Sequence, residues 1–357
     1  MAKTRPVRGA THNRESDRFN LPVRAIDGDW RDAQALVDDP PPPLRTSVTV
    51  ERPRTIISRN ASPDLPFDRS INPYRGCEHG CIYCFARPSH AFHDLSPGLD
   101  FESRLFAKPD AAALLRAELA KPGYVPRPMA LGTNTDPYQP IERDWRITRA
   151  VLEMLAETDH PVTITTKSDR VVRDIDLLGP MAAKRLAAVC LSITSLDPRL
   201  AATLEPRAPH PERRLAAVRR LAEAGIPVYV SIAPVIPAIT DHEVEALIAR
   251  AAEAGAAHAF FLAIRLPHEV APLFHAWLEA HFPDRAGKVM AIIRSLRDGR
   301  DNDPNFHSRM KGSGPWAELL RTRFHIACRK HGLNRERVGL RSDLFRPPAG
   351  PQGELFG

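Results

Sequence analysis

Between about residues 67 and 285, six short β-rich runs alternate with six amphipathic helical stretches, and this rhythm narrows the fold more than any other feature. The strand candidates cover 68–74, 129–134, 162–167, 188–194, 228–234 and 258–266. Helical stretches fall near 110–120, 142–157, 176–186, 211–224, 241–254 and 270–282. In the fourth of these, Pro211 stands in the first turn and Leu215, Val218, Leu221 and Ala222 recur at helical spacing. Gly225 ends it before Pro227. In the next, Thr240 and Glu243 read as a capping box ahead of an apolar stripe of Val244, Leu247, Ile248 and Ala251. Strands separated one by one by helices call for right-handed parallel crossovers. Runs such as VTITT and FFLAI lack strict alternation, as expected of strands covered on both faces. The fold class that follows is α/β, a partial (β/α)6 TIM-like barrel. Its chemistry belongs at the C-terminal ends of the strands.

The flanks differ in character. Residues 1–66 are polar, carry four consecutive prolines at 40–43, and read as a partly disordered extension that straps over the core near 48–50. The barrel domain would then be 67–285, with a basic extension over 286–357. That last part holds a strand candidate at 289–293, a polar loop at 301–314 and a helix at 316–331. Arg321, Arg323, Arg329, Lys330, Arg335, Arg337, Arg341 and Arg346 face only Glu336 and Asp343 there. Such a segment is either a solvated basic face or a contact for nucleic-acid phosphates. The whole-chain charge of +7 is mild and compatible with a polyanionic substrate. The first residues are charged without an apolar segment, and no run approaches the roughly 18 apolar residues of a membrane span. No membrane association is expected. Three of the five cysteines lie within eight residues, which argues against a disulfide framework and for a reducing, cytoplasmic setting.

Those three, Cys77, Cys81 and Cys84, follow the first strand candidate in the segment NPYRGCEHGCIYCFAR. Close-set soft thiolates select iron–sulfur clusters or zinc over hard metals. Gly76 and Gly80 permit tight turns around a bulky centre, and Tyr74, Arg75, His79, Phe85 and Arg87 flank and insulate it. A cubic cluster on three cysteines would leave one iron open; a structural zinc would need a fourth ligand such as His79 or His90. Cys190, inside a strand candidate, reads as a small core residue. Cys328 is either buried, a hydrogen-atom donor or an auxiliary ligand. With a strand period of two, Lys167, Ser192, Thr194 and Ser231 could reach a bound cofactor. Arg265 closes the sixth strand, where its guanidinium suits an anionic substrate group.

The Cys-x-x-x-Cys-x-aromatic-Cys loop resembles that of the radical S-adenosylmethionine (SAM) enzymes. The stretches GTNTDPYQPIE and LEPRAP make it similar to the subgroup resembling spore photoproduct lyase. The resemblance implies a partial barrel of the radical SAM type, with a 4Fe-4S cluster on Cys77, Cys81 and Cys84 and S-adenosylmethionine on the open iron. It places Tyr83 by the adenine and Arg207 at the cofactor carboxylate. The superfamily's Gly-Gly-Glu pattern is absent after the second strand, so Thr133, Asn134, Thr135 and Asp136 would serve the methionyl amino group. It also implies an external electron donor such as flavodoxin or ferredoxin and reductive formation of a 5′-deoxyadenosyl radical. The expected substrate is a nucleic acid undergoing repair or modification. The alternatives are radical modification of a protein or small metabolite, and a zinc-stabilised nucleic-acid-binding protein without catalysis.

Overall fold

The computed structural model describes residues 8–14, 16, 18–19, 44–336 and 338–349. The prolines at 40–43 and Arg337 lie outside the described residues. Six parallel strands lie side by side in chain order: β3 (Arg69–Ile71), β6 (Met129–Leu131), β7 (Val162–Thr166), β8 (Ala187–Ser192), β9 (Val228–Val235) and β10 (His258–Ala263). The antiparallel β2 (Ile57–Arg59) covers the β3 edge. Helices α1 (Ala111–Leu119), α2 (Ile147–Glu157), α3 (Ile175–Ala183), α4 (Pro211–Glu223), α5 (Val244–Glu253) and α6 (Val270–His281) alternate with these strands. This is the expected partial barrel.

A second, small sheet sits beside the first crossover. In it β1 (Ser47–Val50) runs parallel to β5 (Arg104–Ala107), and β4 (Tyr74–Arg75) antiparallel to β5. The candidate strand at 68–74 is therefore two strands in two sheets. Pro73 has no N–H to continue the first ladder, and its carbonyl instead accepts from Lys108 N at 3.0 Å.

The two faces of the main sheet differ sharply. Val162, Ile164, Val189, Leu191, Val228, Val230 and Ile232 join one apolar core with Leu155, Leu178, Val218 and Leu247 of the covering helices. Each such side chain contributes at most about 1.5–3 kcal/mol by leaving water. Because strand side chains alternate, the opposite parity points inward: Thr163, Thr165 and Lys167, Cys190 and Ser192, Tyr229 and Ser231. Cross-strand register aligns Thr165 with Cys190 and Tyr229, and Ser192 with Ser231. Cys190 is thus not a core residue. It is half-buried on the inner wall and shares hydrogen bonds with Thr165 and the Ser231 backbone.

Two local expectations fail for identifiable reasons. Residues 289–293 are helical, within α7 (Pro283–Ser295). Pro283 opens that helix, and Val289, Met290 and Ile293 bury one helical stripe. The capping box does not form either. The Thr240 hydroxyl accepts from Ile236 N at 2.8 Å, while the Glu243 carboxylate takes Ser195 Oγ and Leu196 N from the loop after β8. Tertiary donors outcompete the local pair.

The C-terminal helix α8 (Gly314–His331) packs on α5 and β10. Arg323 there bonds Glu245 at 2.6 and 2.7 Å, and Arg341 pairs with Asp343 at 2.6 Å, so the basic segment is partly neutralised. No helix among the described residues is long and apolar enough to cross a membrane.

Candidate active site

The cysteine loop leaves β4 and is held by buried side chains of neighbouring segments. Arg87, fully buried, donates to the Cys81 carbonyl at 2.9 Å, to Gly80 at 3.1 Å, and to Pro97 and Gly98 at 3.0 and 2.9 Å. It also pairs with buried Glu102 at 2.5 Å. Glu102 in turn accepts from Gly9 N and Ala10 N at 2.9 and 2.8 Å, bringing the N-terminal segment onto the loop. Gln139 clamps the other side: its Oε1 accepts from Glu78 N at 2.9 Å and its Nε2 donates to Gly76 O at 3.2 Å. Gly76 and Gly80 have φ of +71° and +66°. A Cβ on Gly76 would sit 2.8 Å from the Phe101 carbonyl, so both backbone conformation and close packing require glycine there.

Cys77 and Cys81 are buried and Cys84 is half-buried. Burial, then the Asp136 charge, pushes the Cys77 thiol well up. Burial likewise pushes Cys81 up to about 12, against the pull of Lys167. Each of the two thiols also feels Cys84. Such thiols stay protonated by themselves, and a cationic metal group bound there would take their protons' place. No three His, Cys, Asp or Glu side chains among the described residues converge on a point. A cubic cluster asks for something else, one thiolate on each of three irons, and three soft donors spread along a Gly-hinged loop fit that group. Each of the two histidines of the zinc reading has one ring nitrogen near an oxygen of the fold. His90 Nε2 is 2.9 Å from the Arg104 carbonyl, and His79 Nδ1 is 3.2 Å from Asp136 Oδ2.

A buried polar network lies behind the loop. Tyr83 donates its hydroxyl to Glu205, which also accepts from Arg214 and, at 2.7 Å, from Thr194 Oγ1. Burial alone would raise the Glu205 carboxyl, but Arg214, Lys167 and these hydrogen bonds hold it at about 2. Lys167 Nζ stands 5.7 Å from the Tyr83 ring centre. Burial disfavours its charge, yet Cys81 and Glu205 raise its pKa. The inner wall therefore offers a retained ammonium beside Cys81, with Ser192 and Ser231 on the same face. Such a wall can bind a carboxylate and hydroxyls.

The remaining sequence candidates divide. Thr133 Oγ1 is 3.4 Å from Asn72 Oδ1, and the N–H of exposed Asn134 donates to the same oxygen at 3.0 Å. Thr135 donates to the Tyr74 carbonyl at 3.2 Å. Asp136 ties β6 to β7: it accepts from Thr166 Oγ1, Lys167 N and Tyr138 N at 2.6, 2.7 and 2.9 Å. These bonds and His79 lower its carboxyl to about 2 despite burial. Its two oxygens are thus committed within the fold. Arg207 meets the Glu78 carboxylate at 3.1 Å, in a cleft bordered by His79, Ser168, Arg170 and Arg213. Cys328 lies in the apolar core with Leu320, Phe324 and Ala327, and burial pushes it up to about 11. That placement gives it a packing role. Glu205, Arg214 and Gln139 brace the cysteine loop, and the sequence reading assigned them no role. One signal was available: Arg214 interrupts the apolar stripe of α4 one residue before Leu215.

Residues 71–251 match the family model described as Radical SAM superfamily. An uncharacterised protein of Mycobacterium tuberculosis is 35% identical over 232 residues, 64% of this chain and 68% of that one. An uncharacterised protein of Methanocaldococcus jannaschii is 31% identical over 173 residues, 48% of this chain and 62% of that one. Among solved structures, spore photoproduct lyase complexed with dinucleoside spore photoproduct superposes with a TM-score of 0.56 at 17% identity. That match covers 87% of this chain and 86% of the other. At that identity the likeness shows the fold.

Proposed function

The chain belongs to the radical SAM superfamily, and from that premise we propose that it cleaves S-adenosylmethionine reductively at a 4Fe-4S cluster on Cys77, Cys81 and Cys84 to act on a nucleic acid. The observation that carries the reading is the Gly-hinged thiol loop, clamped by Arg87 and Gln139, facing an inner wall that presents the Lys167 ammonium. A cluster held there would supply the one electron needed to split the sulfonium C5′–S bond into methionine and a 5′-deoxyadenosyl radical able to take a hydrogen atom from the substrate.

The chain's own residues bind and orient. Lys167 offers its charge to the methionyl carboxylate, and Ser192 and Ser231 offer hydroxyls along the same wall. Tyr83 is fixed beside Cys84 by Glu205 and Thr194, which holds its ring as a flat wall for the adenine. Thr133 and Asn134 lie at the end of β6 for the amino group, with Asp136 setting the turn. The apolar core and the packed loop keep water from the reacting atoms. Nucleic acid is favoured as substrate by Arg265 at the rim and by half-exposed Phe306, whose ring lies 4.8 Å from the Arg309 guanidinium carbon. The fold likeness to spore photoproduct lyase points the same way. An acidic redox protein such as flavodoxin or ferredoxin would deliver the electron.

The test is anaerobic reconstitution with iron and sulfide, chemical reduction, addition of S-adenosylmethionine and chromatography of 5′-deoxyadenosine. Product is expected from the wild type and none above background from Cys84→Ala. Equal product from both would sink the assignment.

A further inference from the structure

Three arginines gather just beyond the end of β10. Arg265 follows Ala263 by two residues, Arg297 follows α7, and Arg309 lies in the one-turn helix Ser308–Lys311. Arg309 is matched, with Asp64 accepting two hydrogen bonds at 2.7 and 2.6 Å. Arg297 is 1% exposed, and its Nη1 and Nη2 donate to the Arg309 and Ile264 carbonyls at 3.0 and 2.8 Å. Those acceptors are neutral, and the charge that offsets the burial of the guanidinium is that of Asp303. Its buried Nε finds no acceptor among the described residues.

Arg265 is held more loosely still. Among the described residues its Nη1 makes a weak contact with Met310 Sδ at 3.5 Å, and its buried Nε finds no acceptor. The nearby carboxylates are occupied: Asp64 by Arg309, and Asp303 by Asn305 N at 2.9 Å and by Ser308. Burial, then the charges of Arg309 and Arg297, lowers Arg265 to about 10. Two stripped N–H donors and a like-charged cluster are unfavourable unless an anion completes them.

We propose that Arg265 and Arg297 form a binding site for a phosphate oxyanion at the substrate end of the barrel. The half-buried Arg265 supplies the donors, through its unpartnered Nε–H and its outer edge, and Arg297 and Arg309 behind it add positive charge. A guanidinium presents two parallel donors to a phosphate, which an ammonium cannot. The site itself stands on these arginines alone. The identification of its phosphate with a nucleic-acid backbone rests on the function proposed above.

Arg297 also ties two backbone segments together, so Arg265→Gln is the informative variant. Using the full chain, inorganic phosphate binding would be measured by calorimetry, and single-stranded oligonucleotide binding across a salt series. Circular dichroism serves as the folding check. Phosphate binding is expected to weaken roughly tenfold in Arg265→Gln. Oligonucleotide binding should weaken as well, with the salt slope reduced by about 1. Unchanged phosphate binding, or none in the wild type, overturns the site. Weakened phosphate binding with unchanged oligonucleotide binding keeps the site and overturns the nucleic-acid reading in favour of a phosphorylated small molecule.

Discussion

The cysteine loop and the Arg265 rim both hold buried arginines, and they treat them in opposite ways. Arg87 donates to four carbonyls and one carboxylate, so the loop's cradle is complete within the protein. Arg265 has a sulfur contact and an unpartnered Nε. A buried polar group that is fully satisfied rigidifies its surroundings, whereas an unsatisfied one is a cost that a ligand can remove. The first region builds a fixed mould. The second is unfinished, and that is the physical mark of a place where something binds.

The largest effect expected from testing this contrast is on stability. Arg87→Met strips the buried Glu102 of its cation and frees the carbonyls of Gly80 and Cys81, and should cost about 3–5 kcal/mol in denaturant unfolding. A loss below about 1 kcal/mol would mean that the loop is not held from within.

Acid comes next. Burial first of all lowers His90, behind the loop, and His160, at the barrel's base, to about 4. Unfolded, each titrates near 6.5. Between those values the unfolded chain binds more protons, so stability is full above about pH 6.5 and falls as pH drops toward 4. At pH 5 the two together should cost on the order of 3–4 kcal/mol relative to pH 7.5, with half recovered in His160→Gln. A flat urea midpoint across that window would contradict the burial of both rings.

The smallest effect separates the two regions most clearly. Arg265→Gln relieves like-charge crowding and breaks no strong bond, so its unfolding free energy should stay within about 0.5 kcal/mol of wild type or rise. A loss comparable to that of Arg87→Met would make the rim arginine a structural one.

Much of the barrel was legible in the sequence because it rests on local periodicity. The six parallel strands and their helices follow from apolar spacing and from breakers such as Gly225 and Pro227. The three cysteines and both loop glycines were legible because spacing and φ are chain-local properties. Residues 289–293 were misread because Val289, Met290 and Ile293 suit either period in so short a window, and Pro283 with the packing of α7 decided for helix. The Thr240–Glu243 pair was misread because Ser195 and Leu196 lie far away in sequence and compete for the same carboxylate.

What the sequence determined by itself is the order of elements, the place of the thiols just after the first strand candidate, and the presence of Thr165, Lys167, Ser192 and Ser231 along or just after β7 to β9. Which of those polar residues face one another was decided only in three dimensions. Register set Cys190 beside Thr165 and Tyr229, and long-range contacts committed Asp136 to β7, Arg207 to Glu78 and Glu205 to Tyr83. The physical reason is that periodicity tells which way a side chain points, while a hydrogen bond or ion pair needs a partner within about 3 Å. Partners that close are brought together by packing and not by spacing along the chain.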